Sequence, residues 1–493
     1  MNKDKSYKII AKSSALFGGV QFIQVIATVL RGKILAIYLG PIGLGISSIF
    51  VTTTTLIQTI STLGLNFSAV REISLAIEKE NKIKEAQIIF LLFKFLLISS
   101  ISICILLTVF APSVSYYSFG DNSYALEFRW LSSIIFLNAL NVGIQTVFQG
   151  KRKLKFIAQS TVLSSIFTVI ATFPLYYFYG IDGIVPSLIL TYIITFLISF
   201  YYYKKISLHK IKTKTINLFK DGKEMILLGV AKMSTSLMGN LASFFIIIFI
   251  QSEGSLQEVG FYQAGMKIAY QYVGLIFAAI AIDYFPRISA VSEFNFKLNK
   301  IANDQSEITL LLVIPILFTL ILFAPLLIRI MFSSEFLPIT DFIRFCSVGV
   351  YFLAAKQSLD LIPFAKGDKS TFIYYTIYGT LSLILFTVLG YYYNGLNGVA
   401  ILFTIHCFLN LIIISIIIFL KYNFIFSYNF KVFFIVGLIQ MLFVLSISFL
   451  VKESHLYIYG FVFFILSVLY STYYLDKLIG LKSLIQEFFN NNK

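Results

Sequence analysis

The sequence predicts an all-α membrane protein of about fourteen transmembrane helices, arranged as two pseudo-repeated six-helix lobes with two further helices at the C-terminus. Three observations carry this reading. Apolar residues make up 58% of the 493 and charged residues 13%, against about 25% charge in an ordinary soluble domain. Runs such as 91–110, 308–328 and 432–451 are long enough to cross a hydrocarbon layer of roughly 30 Å as helices, and they lack the alternation of a strand barrel. The chain also repeats itself about 215 residues apart, as duplicated structural units do.

The repeat rests on ordered landmarks. Tyr176-Tyr177-Phe178-Tyr179-Gly180 is answered by Tyr391-Tyr392-Tyr393-Asn394-Gly395, and Phe110-Ala111-Pro112 by Phe323-Ala324-Pro325; Arg129 pairs with Arg344, and Gly150 with Gly367. Two related halves built from membrane helices imply a transporter, whose substrate sits where the halves meet and moves as one half rocks against the other.

The elements follow in order. Spans are predicted at 12–38, 43–68, 87–111, 128–149, 156–179 and 184–203 in a first lobe (1–203). A basic linker (204–223) leads to spans 224–251, 259–284, 306–331, 339–363, 371–393 and 397–420 in a second lobe (224–420). Spans 429–450 and 456–475 complete a tail segment (421–493) outside the duplication. The first span is too long for a signal peptide and lacks a small-residue cleavage site. With both termini cytoplasmic, all but ten of the 39 basic residues fall in inside segments, which satisfies the positive-inside rule. Six spans per lobe make the repeat parallel, with its axis along the membrane normal.

The net charge of +16 is accounted for by topology and by contact with anionic lipid headgroups, so nucleic acid is not expected as a partner. Cys104, Cys346 and Cys407 all lie in apolar stretches, and His209, His406 and His455 are scattered. Neither a disulfide framework nor a metal site is expected, and no cofactor or catalytic nucleophile is foreseen.

The ten basic residues outside the orientation signal are Arg31, Lys33, Lys94, Arg129, Lys232, Lys267, Arg329, Arg344, Lys356 and Lys452. A cation at a helix centre costs about 2.5–3.5 kcal/mol on the insertion scale, so each needs water or a partner. Lys94 and Lys232 can snorkel to the inner face, Lys452 sits in a turn, and Arg129, Arg329 and Arg344 fall near outer helix ends. Lys356 and Asp360 stand four apart and can pair. Asp360 and Asp283 are the acids predicted for ion coupling.

Arg31 and Lys267 instead continue polar stripes at helical spacing. These stripes are Gln21, Gln24, Thr28 and Arg31; Gln58, Thr62 and Asn66; Asn138, Asn141, Gln145 and Gln149; and Gln263, Lys267 and Gln271. Lipid offers amides no hydrogen bonds, so such faces meet other helices or a wet cavity. Amides and tyrosines suit sugar hydroxyls and ring faces, while arginine makes paired hydrogen bonds to phosphate oxygens. The predicted cavity residues are therefore Arg31, Lys33, Lys267, Gln24, Asn66, Asn141, Gln145, Gln263, Gln271, Lys94, Arg129 and Arg344.

The opening run Ala11-Lys12-Ser13-Ser14-Ala15, with Arg31-Gly32-Lys33-Ile34-Leu35-Ala36-Ile37-Tyr38-Leu39-Gly40-Pro41-Ile42-Gly43-Leu44-Gly45, resembles the Wzx group of O-antigen and polysaccharide flippases of the multidrug/oligosaccharidyl-lipid/polysaccharide (MOP) superfamily. The likeness extends to Leu63-Gly64-Leu65 with Arg71-Glu72, and to Val259-Gly260-Phe261-Tyr262. It implies a multi-pass protein of the bacterial cytoplasmic membrane that moves an undecaprenyl-diphosphate-linked oligosaccharide outward. Such a protein would be a monomer among membrane lipids, with a polysaccharide polymerase and a chain-length regulator as partners. Related lipid II flippases place cations from their first and eighth helices in the central cavity, the helices that carry Arg31 and Lys267 here.

Two other functions compete. A multidrug exporter of the same superfamily would be expected to have an acidic or neutral cavity rather than a cationic one. A membrane glycosyltransferase or O-antigen polymerase needs a long outer loop, whereas the longest here runs only from Pro112 to Glu127.

Overall fold

The computed structural model describes the backbone of residues 3–207, 218–451 and 453–480; the side chains of residues 3–18, 218–221, 275, 278, 279, 281–283, 453, 454 and 479 are outside the described set. Most of the basic linker, Lys452, the end of the tail segment and the Asp283 side chain therefore lie outside the described residues.

The protein is α-helical, and among the described residues ten helical stretches are long and apolar enough to cross a membrane. Three of them run to 43, 50 and 54 residues. At 1.5 Å per residue each has length for two crossings. With the broken helix at 256–289, the crossings come to about the fourteen expected.

The chain forms two compact units, residues 1–260 and 261–493. The first contains α1 (Lys3–Ser61), α2 (Leu65–Glu78), α3 (Lys82–Val109), α4 (Ala111–Phe119), α5 (Ala125–Gly150), α6 (Leu154–Tyr179), α7 (Ile184–Tyr203) and α8 (Leu218–Glu253). Its division from the second falls inside α9 (Leu256–Met266), so α8, which the sequence reading places in the second lobe, packs within the first unit. The core of this unit joins Leu65, Ile73, Leu92, Phe95, Val147, Phe148 and Met225 from α2, α3, α5 and α8.

The second unit continues through a π-helical turn (Lys267–Gln271) into α10 (Tyr272–Ser289). It then holds α11 (Asn295–Leu322), α12 (Ala324–Met331), α13 (Thr340–Asp360), α14 (Ile362–Ala365), α15 (Lys369–Tyr422), α16 (Tyr428–Leu450) and α17 (Glu453–Ile479). Apolar side chains such as Ile98, Ile105, Leu381, Leu385, Ile439 and Leu469 stay exposed, as helix faces that meet lipid tails do.

The duplication is visible in backbone geometry. Gly180 (φ 58, ψ −131) and Gly395 (φ 53, ψ −141) share one positive-φ conformation that a side chain would strain. The caps two residues before the two prolines also match: Phe110 (φ −89, ψ 11) caps the end of α3 and Phe323 (φ −104, ψ 16) that of α11, with Pro112 and Pro325 in the first turns of α4 and α12. Proline is tolerated there because those N–H groups lack helical partners in any case. The predicted span 306–331 is thus two helices. One landmark moves: the counterpart of Gly367 (φ 73) is Arg152 (φ 54), not Gly150, which packs against Ile73.

The repeat also produces a close contact inside the first unit. α1 bends at Gly40 (φ 60) before Pro41, and its second segment meets the start of α9. A Cβ on Gly45 would overlap the carbonyl oxygen of Leu256, and a Cβ on Gly260 would overlap that of Pro41. Gly45 and Gly260 are one repeat apart in sequence, as are Pro41 and Leu256, so the contact is reciprocal. The motifs that carried the family resemblance are its two sides.

Asp368 caps α15. Its carboxylate accepts hydrogen bonds from the Thr371 N–H (3.0 Å) and hydroxyl (2.7 Å) and from Ser370 (2.8 Å) and Tyr422 (2.8 Å), with Lys421 Nζ at 3.1 Å. These donors hold its carboxyl well below the usual carboxylate range. Because the folded state favours the charged form, the stabilisation is full at neutral pH and fades as pH falls below the ordinary value of 3.8. Asp368→Ala should cost about 1–2 kcal/mol for the lost cap, read as a lower melting temperature in detergent at pH 7 with the difference shrinking at pH 3–4.

Candidate functional site

Within the first unit, α1, α6 and α7 form an open cavity of about 250 Å³ lined by Gln24, Ala27, Thr28, Arg31, Thr161, Ser164, Ser165, Thr168, Val169, Thr191 and Thr195. These residues fall inside the predicted spans 12–38, 156–179 and 184–203, which would place the chamber within the membrane. Helical spacing builds it: Gln24, Thr28 and Arg31 share one face of α1, Thr161, Ser164, Ser165 and Thr168 one face of α6, and Thr191 and Thr195 one face of α7.

Five of the seven lining hydroxyls share a polarity. Thr28 donates to the Gln24 carbonyl (2.8 Å), Ser164 to Thr161 (3.0 Å), Thr168 to Ser165 (3.0 Å), Thr191 to Ser187 (2.8 Å) and Thr195 to Thr191 (2.8 Å). A hydroxyl has one proton to give and two lone pairs. With that proton given to its own helix, each of the five keeps acceptor capacity. Arg31 is the cation of the lining, and no carboxylate is among the lining residues. The chamber therefore offers a charged donor at Arg31 and spare acceptor capacity at five hydroxyls, beside the Gln24 amide and the Thr161 and Ser165 hydroxyls. That division matches an anion joined to a group rich in O–H donors.

Near this chamber Tyr192, within electrostatic reach of Arg31, donates to Gln58 Oε1 at 3.2 Å. The Gln58 Nε2 and Asn141 Oδ1 atoms are buried without hydrogen-bond partners.

The other predicted residues are distributed more widely. Lys33 is half-buried on α1, while Asn66 and Lys94 are exposed on α2 and α3. Gln145 is held inside the bundle, its Nε2 donating to Ser160 (3.2 Å) and Ser199 (3.1 Å), so it links helices as polar residues in membrane bundles do. Arg129 is exposed on the first turn of α5. Its repeat counterpart Arg344 is buried, bound to Asp341 Oδ1 at 3.0 Å and donating to the Ile321 carbonyl at 3.4 Å.

Lys267, Gln263 and Gln271 belong to the second unit. Lys267 begins the π-helical turn and is half-buried, as is Gln263, and Gln271 is exposed. A π-bulge often marks a functional position in a helix. In the same unit Lys356 Nζ lies 2.5 Å from Asp360 Oδ2 and donates to Tyr375 (3.3 Å), whose hydroxyl donates to the Asn410 carbonyl (3.4 Å). The expected pairing is present, and Asp360 Oδ1 is buried without a partner.

Sequence reasoning missed the hydroxyls of α6 and α7. Their signal is present as Ser and Thr at 161, 164, 165 and 168 and at 191 and 195, a stripe at the same spacing as the amides that were recognised.

The all-helical fold carries a polar cavity in its first unit. Known structures share the fold. An inward-facing multidrug resistance MATE family transporter of the MOP superfamily superposes with a TM-score of 0.67 at 17% identity, over 85% of this chain and 95% of that one. The lipid II flippase MurJ in an inward closed conformation gives 0.67 at 18% identity, over 94% and 99%. A Shigella flexneri protein named "Putative O-antigen transporter" is 25% identical over 393 residues, 76% of this chain and 90% of its own length. Residues 34–341 match the family described as "Polysaccharide biosynthesis protein", and the chain belongs to that family. The resemblance to Wzx-type flippases read from its motifs agrees with these matches.

Proposed function

We propose that the protein is a flippase that moves an undecaprenyl-diphosphate-linked oligosaccharide from the inner to the outer leaflet of the bacterial cytoplasmic membrane by alternating access. The observation that carries this reading is the chamber of α1, α6 and α7, in which the Arg31 guanidinium stands among hydroxyls that present acceptors. Arg31 would take diphosphate oxygens in paired, charge-assisted hydrogen bonds, and the hydroxyls would accept from the sugar. About 250 Å³ lies just below the roughly 300–1,000 Å³ of small-molecule sites. A chamber of that size would take the diphosphate and part of the first sugar, while the remaining glycan and the polyprenyl tail would lie outside it.

Both termini would face the cytoplasm, the two six-helix lobes would be the moving parts, and a polymerase and chain-length regulator would act on the delivered unit. A multidrug exporter shares the fold, but a chamber whose lining charge is a cation disfavours organic cations by direct repulsion.

The test is complementation of a strain lacking its own O-unit flippase, with surface polysaccharide as the readout. Thr168→Val and Thr191→Val together keep shape and remove two acceptors. At about 0.5–1.5 kcal/mol per hydrogen bond, export should fall several-fold at equal protein level. Export equal to the parent, or rescue of drug resistance in place of polysaccharide, would overturn the assignment.

A further inference from the structure

A second, larger cavity in the first unit, about 560 Å³, opens between α2, α3 and α8 on the side that the positive-inside pattern assigns to the cytoplasm. Its rim carries Arg71, Lys79, Lys84 and Lys223 together with Glu72 and Glu224, over a floor of apolar side chains from α2 and α3. None of these residues belongs to the chamber of α1, α6 and α7.

The site is built by close packing. A Cβ on Gly229 would meet the Leu63 carbonyl oxygen at 2.5 Å and the Gly64 carbonyl carbon at 3.2 Å, and a Cβ on Gly222 would overlap the Phe95 ring. The two glycines let α8 lie directly on the start of α2 and on α3. That placement sets Lys223 and Glu224 across from Arg71 and Glu72. The rim therefore holds four cations against two carboxylates, a formal charge of +2. Burial and the facing Glu224 carboxylate push the Glu72 carboxyl up, against the opposing pull of Lys84 and Arg71. Any proton Glu72 takes makes the rim more positive.

We propose that this inner cavity is a loading site that binds the diphosphate of a polyprenyl-linked substrate at the cytoplasmic face before it reaches the chamber. A diphosphate diester is doubly negative and matches the rim charge. The apolar floor suits the first isoprene units beside it, a feature that a site for a free inorganic anion would not need. A solvated basic face would attract any anionic headgroup at about 1 kcal/mol per cation; a basic rim around an apolar floor adds a preference for a phosphate carrying a prenyl chain. The proposal rests on the flippase reading for its substrate class, but its test reads binding rather than export.

The test uses the full-length protein in nanodiscs of neutral phosphatidylcholine, in an Arg31→Gln background that silences the chamber, with farnesyl diphosphate titrated calorimetrically. Binding should persist in that background. It should weaken at least about tenfold in Lys79→Gln/Lys84→Gln/Lys223→Gln, the loss expected when three cations are withdrawn from a phosphate, and recover when Arg replaces Lys at the three positions. Inorganic diphosphate should bind more weakly than the prenyl form. Equal affinity in the glutamine variant would overturn the site. Displacement of farnesyl diphosphate by discs rich in phosphatidylglycerol would identify bulk anionic lipid as the occupant and overturn the assignment to substrate. Normal export by Arg31 variants would sink the chamber while leaving these binding results standing.

Discussion

Arg31→Ala should reduce polysaccharide export by at least about tenfold with the protein still folded and in the membrane. A charge-assisted hydrogen bond contributes about 1.5–3 kcal/mol, and loss of a paired contact to phosphate removes that amount from the bound state, which is tenfold or more. Arg31→Lys should fall between, because an ammonium keeps the charge and loses the planar fork that matches phosphate oxygens. The measurement is surface polysaccharide per unit of folded protein in the complemented strain. An alanine variant that exports normally would show that the chamber does not rely on this guanidinium. A lysine variant as inactive as alanine would mean that the two-point geometry outweighs the charge.

Gly45→Val should be among the most damaging substitutions in the chain, and Gly260→Val should match it because the contact is reciprocal. Overpacking a core with side chains costs roughly 1–3 kcal/mol, but here the obstacles are the carbonyl oxygens of Leu256 and Pro41, which cannot rotate away. Even Gly45→Ala requires the two backbones to part. The folded yield after detergent extraction should drop sharply for all three variants. Gly239 is the control. It lies within α8 with nothing within 4 Å of an added Cβ, so Gly239→Ala should be neutral or gain up to about 1 kcal/mol from helix propensity. If Gly45→Ala behaved like Gly239→Ala, the approach of α1 to α9 would be looser than described.

These expectations separate what the sequence carries from what it hides. Span positions were legible because a crossing helix needs about twenty apolar residues with basic flanks on one side, and the repeat was legible because identical turns reuse the same residues. Gly180 and Gly395 confirm that reading at the level of φ and ψ. The reciprocal contact of Gly45 and Gly260 was hidden. Their motifs were seen separately, and only coordinates reveal that one repeat's turn packs on the other's.

The polar stripes were partly legible. The face of Gln24, Thr28 and Arg31 does line a cavity, whereas Gln145, with the same spacing and chemistry, is spent on Ser160 and Ser199. Periodicity specifies which residues share a face and not what that face meets. The hydroxyls of α6 and α7 escaped notice for a related reason. Serine and threonine satisfy themselves on their own helix, so a stripe of them reads as ordinary membrane helix until an arginine from another helix is found opposite. Arg129 and Arg344 make the same point, since they occupy the same place in their repeats and one is exposed while the other is buried beside Asp341.

The most direct test of the chamber is its water and its charge. A single cysteine at Ser165, with Cys104, Cys346 and Cys407 replaced by serine, can be titrated in membrane vesicles with anionic and cationic methanethiosulfonate reagents, with and without purified lipid-linked oligosaccharide. A hydrated chamber governed by Arg31 predicts labelling that is faster with the anionic reagent, reversed in preference by Arg31→Glu, and suppressed by the lipid-linked sugar. A Ser165→Cys thiol that resists both reagents, or labels equally with each and ignores the oligosaccharide, would contradict it.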